Sequence, residues 1–457
     1  MALTKIPGEL INIDDLDLTN VGTLHLDSIV SDASPAAITV GYGINDTLTI
    51  NGSTILEGAV TVNESSADVD FRVESNGDTH RLFIDGGNDR ILIGTTASRA
   101  MSGVTPDFFI EGTSYADSGL GAVINANGAI DCPVMLFGKS RGTSLGSNTV
   151  VQNGDRLFTM RFDGSDGTNL EQAALIEAYV DAAPGANEIP GRLSFWTTTA
   201  GSQYSTEKMR IDNAGKVGIG VTPSSSWDAN IDCLQVGEQS SIWAGDTDYS
   251  DATWLGLNVY QTGGATKYLT SSTAAVYGMQ AGQHYWYSYA SGSADATVSG
   301  NEVMRIDTAG HVTKPLQPAF SAVVGTATTD VATNASRNTV GFTTEIFDNN
   351  ADYNATASTF TAPVAGRYQL NASLYVLNSD AEATYIRIEI RTSNRDYTYI
   401  FEPNYSADRG RDQFTISVLA DMDASDTALV DIGQYEGTAQ MDVPASPQSH
   451  FSGFLAC

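Results

Sequence analysis

Several groups of side chains in this 457-residue chain have types and spacings that could do chemistry. The stretch KMRIDNAGKVGIG, Lys208 to Gly220, ends in a glycine-rich string of the kind that cradles phosphate. A phosphate loop needs a strand, the spacing GxxxxGK[ST], and a helix whose first amides meet the anion. Here Lys216 precedes the glycines, no Ser or Thr follows it, and Pro223-Ser224-Ser225-Ser226 stands where the helix would begin. The string MRIDxAG returns at Met304 to Gly310, and a looser copy, Phe83-Ile84-Asp85 to Gly94, lies upstream. The repeat reads as strand, short turn, strand, with Gly215 and Gly310 at the left-handed position of a three-residue loop.

Acid–base chemistry finds little to work with. His25, His80, His284, His311 and His450 are the five histidines, and none lies in a GxSxG, HExxH or Cys-His setting. Paired carboxylates could hydrolyse glycans, but the long regular repeats of a processive β-helix are missing. No enzyme and no cofactor is expected. Asp163-Gly164-Ser165-Asp166-Gly167 and Asp421-Met422-Asp423-Ala424-Ser425-Asp426 gather oxygen donors suited to Ca²⁺. Neither completes the DxDxDGx₅E loop, so both read as acidic turns and no metal ligand is assigned.

Binding is the chemistry these residue types favour. Arg395, Tyr397, Tyr399, Tyr405, Arg409 and Arg411 collect Tyr and Arg in a chain poor in Arg. Aromatic faces stack on sugar rings, and Arg forms paired bonds with carboxylate or phosphate, so these six are receptor-binding candidates. A second aromatic run, Tyr285, Trp286, Tyr287 and Tyr289, alternates like a strand and suits a core or subunit interface, or a glycan surface.

The elements that must position these groups are strands. Alternating runs such as Phe71 to Glu74, Arg81 to Ile84, Thr384 to Ile390 and Phe414 to Leu419 are bounded by Gly, Asn, Asp and Ser, which predicts an all-β fold. Asn169 to Val180, NLEQAALIEAYV, fits a helix or a strand pair and stays unassigned. The chain carries 54 acidic against 23 basic residues, a net charge of −31, which disfavours nucleic acid and anionic membranes as partners. Cys132, Cys233 and Cys457 are an odd number and far apart, implying no disulfide framework or zinc site. The opening MALTKIPGELINIDD lacks the apolar core of a secretory signal, so assembly in a cytosol is expected.

The segments from Val150 to Thr199 and from Ser205 to Pro223, with the stretch from Asp70 to Thr95, resemble modules of tailed-bacteriophage tail fibres, especially those of aquatic hosts. From Pro318 a second resemblance begins, to the complement-globular-head family, which is related in fold to tumour necrosis factor. Phe360, Gly366, Tyr368, Phe451, Gly453, Phe454 and Leu455 match that family's pattern. Leu370 replaces its usual Phe, and Ser425-Asp426 stands for its late Gly-Asp pair. The resemblance implies a jelly-roll head, an intertwined homotrimer, and a structural fibre that binds a host-cell receptor, glycan or protein. The domains expected are a virion-attachment segment at 1–46, shaft segments at 47–94, 95–220 and 221–315, and a receptor-binding head at 316–457. Its partners would be a phage tail, baseplate or adaptor protein and the receptor, and its location the virion. A tailspike depolymerase and a capsid decoration fibre or adhesin are the alternatives.

Overall fold

The computed structural model describes residues 68–245 and 251–457, together with Thr54, Val60 and Val62. The expected attachment segment at 1–46 therefore lies outside the described residues. Among the described residues there is no helix, as the alternation and turn punctuation predict. The chain divides into two compact units, one reaching Ser98 and including Asp107–Gly119, the other holding Arg99–Pro106 and Leu120–Cys457.

In the first unit, β1 (Phe71–Val73), β2 (Leu82–Asp85), β3 (Arg90–Ile93) and β4 (Phe108–Ile110) form one sheet in that order. The β2–β3 hairpin turns at Asp85, whose carboxylate accepts the Asn88 amide at 3.0 Å. β4 then returns parallel to β3, pairing Leu92 with Phe109.

The second unit begins with β5 (Arg156–Ser165), β6 (Leu170–Val180), β7 (Gly191–Thr198), β8 (Ser205–Ile211) and β9 (Val217–Ile219). Then follow β10 (Ile231–Val236), β11 (Ser240–Gly245), β12 (Ala252–Leu257), and a separate hairpin of β13 (Val259–Thr262) and β14 (Ala265–Tyr268). β15 (Ser272–Gln280), β16 (Gln283–Gly292), β17 (Asn301–Ile306) and β18 (Val312–Thr313) complete one 12-stranded sheet in sequence order. The unassigned run after Asn169 is β6, held as a strand by ladders to β5 and β7 on its two sides.

Both MRIDxAG repeats are hairpins with the same wiring. Asp212 Oδ1 accepts the Ala214 and Lys216 amides at 2.9 Å. Asp307 Oδ1 accepts those of Ala309 and His311, also at 2.9 Å. Gly215 and Gly310 have φ of 79° and 86°, the left-handed region that L side chains enter at a cost. After the first hairpin, β10 pairs parallel with β9, as β4 does with β3, so the segments 95–220 and 221–315 meet in one sheet. Gly94 and Gly220, with φ of 76° and 68°, open the two crossovers.

One face of the sheet around β10–β16 packs a core of Trp227, Trp243, Trp254, Val259, Tyr260 and Tyr268 under the β13–β14 hairpin. Gly278 sits in β15 because a Cβ there would lie 1.9 Å from the Trp254 ring. The glycine leaves room for an indole that no larger residue at this register would admit.

The last part of the unit runs through β19 (Ala319–Val324), β20 (Thr328–Val331), β21 (Asn338–Thr339), β22 (Thr344–Asp348), β23 (Tyr353–Asn354) and β24 (Thr359–Thr361). It ends with β25 (Gly366–Ser379), β26 (Tyr385–Thr392), β27 (Asp396–Phe401), β28 (Arg409–Met422), β29 (Thr427–Tyr435), β30 (Met441–Val443) and β31 (Ser446–Leu455). Two sheets result, one centred on β25 between β28 and β31, the other ordered β23-β24-β29-β26-β27. Their inner faces share one core that includes Phe320, Phe360, Tyr368, Leu370, Ile388 and Phe451. This is a jelly-roll sandwich, built by alternation that turns every second residue inward.

Candidate functional site

The six Tyr and Arg candidates lie on or beside β27 and β28, and they do not form one cluster. Tyr397 packs against the jelly-roll core, because Tyr397 and Tyr399 pair with Ile390 and Ile388, which are fully buried. Tyr399 stays 41% exposed on the same edge strand. Arg395 belongs to the turn before β27, where its carbonyl accepts the Thr392 hydroxyl at 2.9 Å. Tyr405 and Arg409 lie beyond the other end of β27, and at ~3.4 Å per residue a six-residue strand separates the two groups by about 20 Å.

Tyr405, Arg409 and Asp412 do come together. The Arg409 guanidinium lies 4.8 Å over the Tyr405 ring and pairs with Asp412 at 2.9 Å. Phe401 backs Tyr405 at a ring separation of 5.9 Å. Burial, with the Asp412 charge beside it, raises the Tyr405 hydroxyl above the usual phenol range, so it is a neutral donor and acceptor near neutral pH. Arg409 and Arg411 are both exposed at the start of β28. The result is a surface corner with an aromatic ring, a guanidinium stacked on it and a second free-reaching Arg. Such a corner suits a polar ligand with a planar or anionic group.

The outer face of β26 holds charges that residue spacing alone does not connect. Arg337 Nε meets Glu389 at 2.8 Å and its other nitrogen reaches Asp396, while Thr398 donates to Glu389 at 3.0 Å. Arg391 meets Asp431 at 2.7 Å, and Thr339 donates to Asp431 at 2.8 Å. Both carboxylates are closed from water, so these contacts hold the head's surface in shape rather than offer it to a ligand. The alternation of Arg387, Glu389 and Arg391 marks an outward charged face, but the partners come from sequence-distant strands.

In the aromatic run, Tyr285, Tyr287 and Tyr289 pack against the tryptophan core, with the rings of Tyr287 and Tyr289 stacked at 6.2 Å. Trp286 points to the opposite face beside Tyr277, at 5.1 Å. Both acidic runs start at the end of a strand, Asp163 in β5 and Asp421 in β28, and then turn. Asp166 Oδ1 accepts the Thr168 and Asn169 amides at 2.7 Å, the Asn169 bond chiefly holding its carboxyl below the usual range. Asp426 Oδ2 accepts the Asp423 amide at 2.7 Å, and Ser425 takes φ of 76° where the resembled family has Gly. Among the described residues, no group of three or more His, Cys, Asp or Glu is placed to hold a metal ion.

The family model for the C1q domain matches residues 319–456. Similar solved structures include the globular domain of zebrafish complement 1qA protein, 15% identical, with TM-score 0.23, covering 31% of this chain and 98% of that one. Murine APRIL at pH 8.5 is 13% identical, with TM-score 0.22, covering 30% of this chain and 98% of that one. No curated protein matches. The stretch that the C1q model matches is the jelly roll that carries Tyr405 and Arg409.

Proposed function

We propose that the chain is a homotrimeric tail fibre of a tailed bacteriophage, whose C1q-type head binds a receptor on the host surface. The observation that carries this reading is the joining of such a head to a strand array punctuated by repeated Asp-capped hairpins. In this reading the segment at 1–46 attaches to a tail, baseplate or adaptor protein, the sheet-forming modules make the shaft, and the Tyr405–Arg409 corner touches the receptor. Three heads per fibre and several fibres per virion strengthen weak contacts through effective concentration. No chemical step and no cofactor is required.

Two measurements test it. Purified protein should have a native mass about three times the 48.3 kDa chain, and antibody against it should label the tails of virions. Label on the head shell would reassign it as a decoration fibre. Oligosaccharides released from host polysaccharide by the pure protein would make it a depolymerase instead.

A further inference from the structure

The 12-stranded sheet is closed on one face and open on the other. On the closed face, Glu177, Ser194, Gln235 and Ser241 are almost fully buried, along with the tryptophan core. On the open face, one row of paired residues runs unbroken through 11 strands, from β5 to β17 without the β13–β14 hairpin. It begins Phe158, Ala178, Leu193, Ile211, Val217, Leu234. It continues through Ile242, Leu255, Tyr277 and Trp286 to Met304. A second row beside it reads Met160, Ile176, Phe195, Met209, Ile219, Val236. Neither row contains a charge.

This face is exposed within one chain. Leu255 is 52%, Leu257 47%, Ile242 44% and Met279 43% open to solvent. Side chains of this size leave on the order of 50–90 Å² each uncovered, so the rows together present about 1,000 Å², beyond the ~800 Å² each partner gives a standard interface. Across 12 strands spaced ~4.8 Å apart the face is about 50 Å long. Monomeric proteins rarely leave patches of this size uncovered.

A second uncovered feature begins at its edge. Phe137 stacks on Phe158, the first residue of the row, at 3.9 Å. Upstream of Phe137 the chain from Leu120 forms no strand, and Leu120, Val123, Ile130 and Leu136 are 77–92% exposed. Beyond that one stacked pair, the apolar segment and the apolar face leave each other uncovered within one chain, and can cover each other between chains.

We propose that the open face of this sheet is the interface between copies of this chain, and that residues 120–136 of one copy lie on the sheet face of the next. A second copy fits better than another partner for two reasons. It supplies an apolar face of matching length, and it meets this one along two rows free of charge in a chain of net charge −31, with Asp232 on the face beyond the rows and Asp131 within the segment. The proposal rests on self-association as above, and not on the phage or the receptor.

The test uses full-length Leu255→Cys in a Cys132→Ser/Cys457→Ser background, with Ser299→Cys, on the loop beside the covering hairpin, as the exposed control. Expected are a native mass above one chain, reaction of the Leu255→Cys thiol with a bulky maleimide at least about tenfold slower than the control, and interchain linkage by a short bismaleimide. Equal reactivity in an assembled protein overturns this interface while leaving self-association standing. A native mass of one chain overturns both, and a shielded thiol in such a monomer assigns the cover to the chain's own residues.

Discussion

Glu389 and Asp431 stand directly opposite each other across the β26–β29 ladder, with 3% and 1% of their surfaces open to water. Two carboxylates so placed repel unless each has its own cation. Arg337 and Arg387 serve Glu389, and Arg391 serves Asp431. Arg391→Met therefore leaves a buried carboxylate with Thr339 as its remaining side-chain donor. The expected loss is roughly 2–4 kcal/mol, short of the figure for a fully buried pair because Arg391 is one-third exposed. Calorimetry should show a lower melting transition for the head, and Asp431→Asn in the Arg391→Met background should recover part of it.

At Gly215 the space around a would-be Cβ is open, so only the backbone resists substitution. Gly215→Val should cost about 1–2 kcal/mol through its left-handed φ, whereas Gly215→Asn should be nearly neutral. Denaturant unfolding of the two variants separates these outcomes. Equal losses would mean that a side-chain clash governs the position.

Asp307 gives the second repeat a pH dependence. The His311 side chain, 2.9 Å away, together with the His311 and Ala309 amides, lowers its carboxyl below the ordinary 3.8. A depressed folded-state pKa means that the contribution is complete above 3.8 and is lost as pH falls through the folded value. An NMR titration should find Asp307 ionising below the ordinary value, and His311→Ala should move it upward.

Gly278 cannot accept a methyl group without displacing Trp254. Gly278→Ala should destabilise the sheet by about 1–3 kcal/mol, the cost of overpacking, and blue- or red-shift the tryptophan emission as the indole moves. Unchanged fluorescence and stability would contradict the close approach.

In the head, stability and recognition should separate. Tyr397→Ala removes a ring packed on the core and should cost about 2–4 kcal/mol. In an Asp412→Asn background, which removes the largely buried charge that Arg409 and Tyr405 partner, Tyr405→Ala with Arg409→Ala should leave melting nearly unchanged and, on the tail-fibre reading, weaken binding to host cells about tenfold or more. Pull-down on intact cells measures it, and full binding by the double variant would move the receptor site elsewhere.

The all-β class and the hairpins were legible because alternation and turn chemistry are local, and the jelly roll only through the residues from Phe360 to Leu455 that resemble a known family. Asn213-Ala214-Gly215 announces its own turn, whereas nothing near Gly220 announces that β10 will return parallel to β9. Parallel pairing depends on where a crossover carries the chain, and glycine-rich crossovers have no periodicity. The same limit hid the split between Arg395 and Tyr405, because closeness in sequence is stretched to its maximum along a strand. The run after Asn169 resisted assignment since its Leu, Glu, Gln and Ala favour helix locally, and only the ladders on both sides decide for strand.

The sequential order of β5 to β18 also makes the sheet a ruler. Each strand bonds to the strands nearest it in the chain, apart from the inserted β13–β14 hairpin, so no later segment must thread between earlier ones. Gaining or losing one hairpin changes the reach of the array by about 10 Å and asks nothing of the rest. Length in such a protein can be inherited in increments.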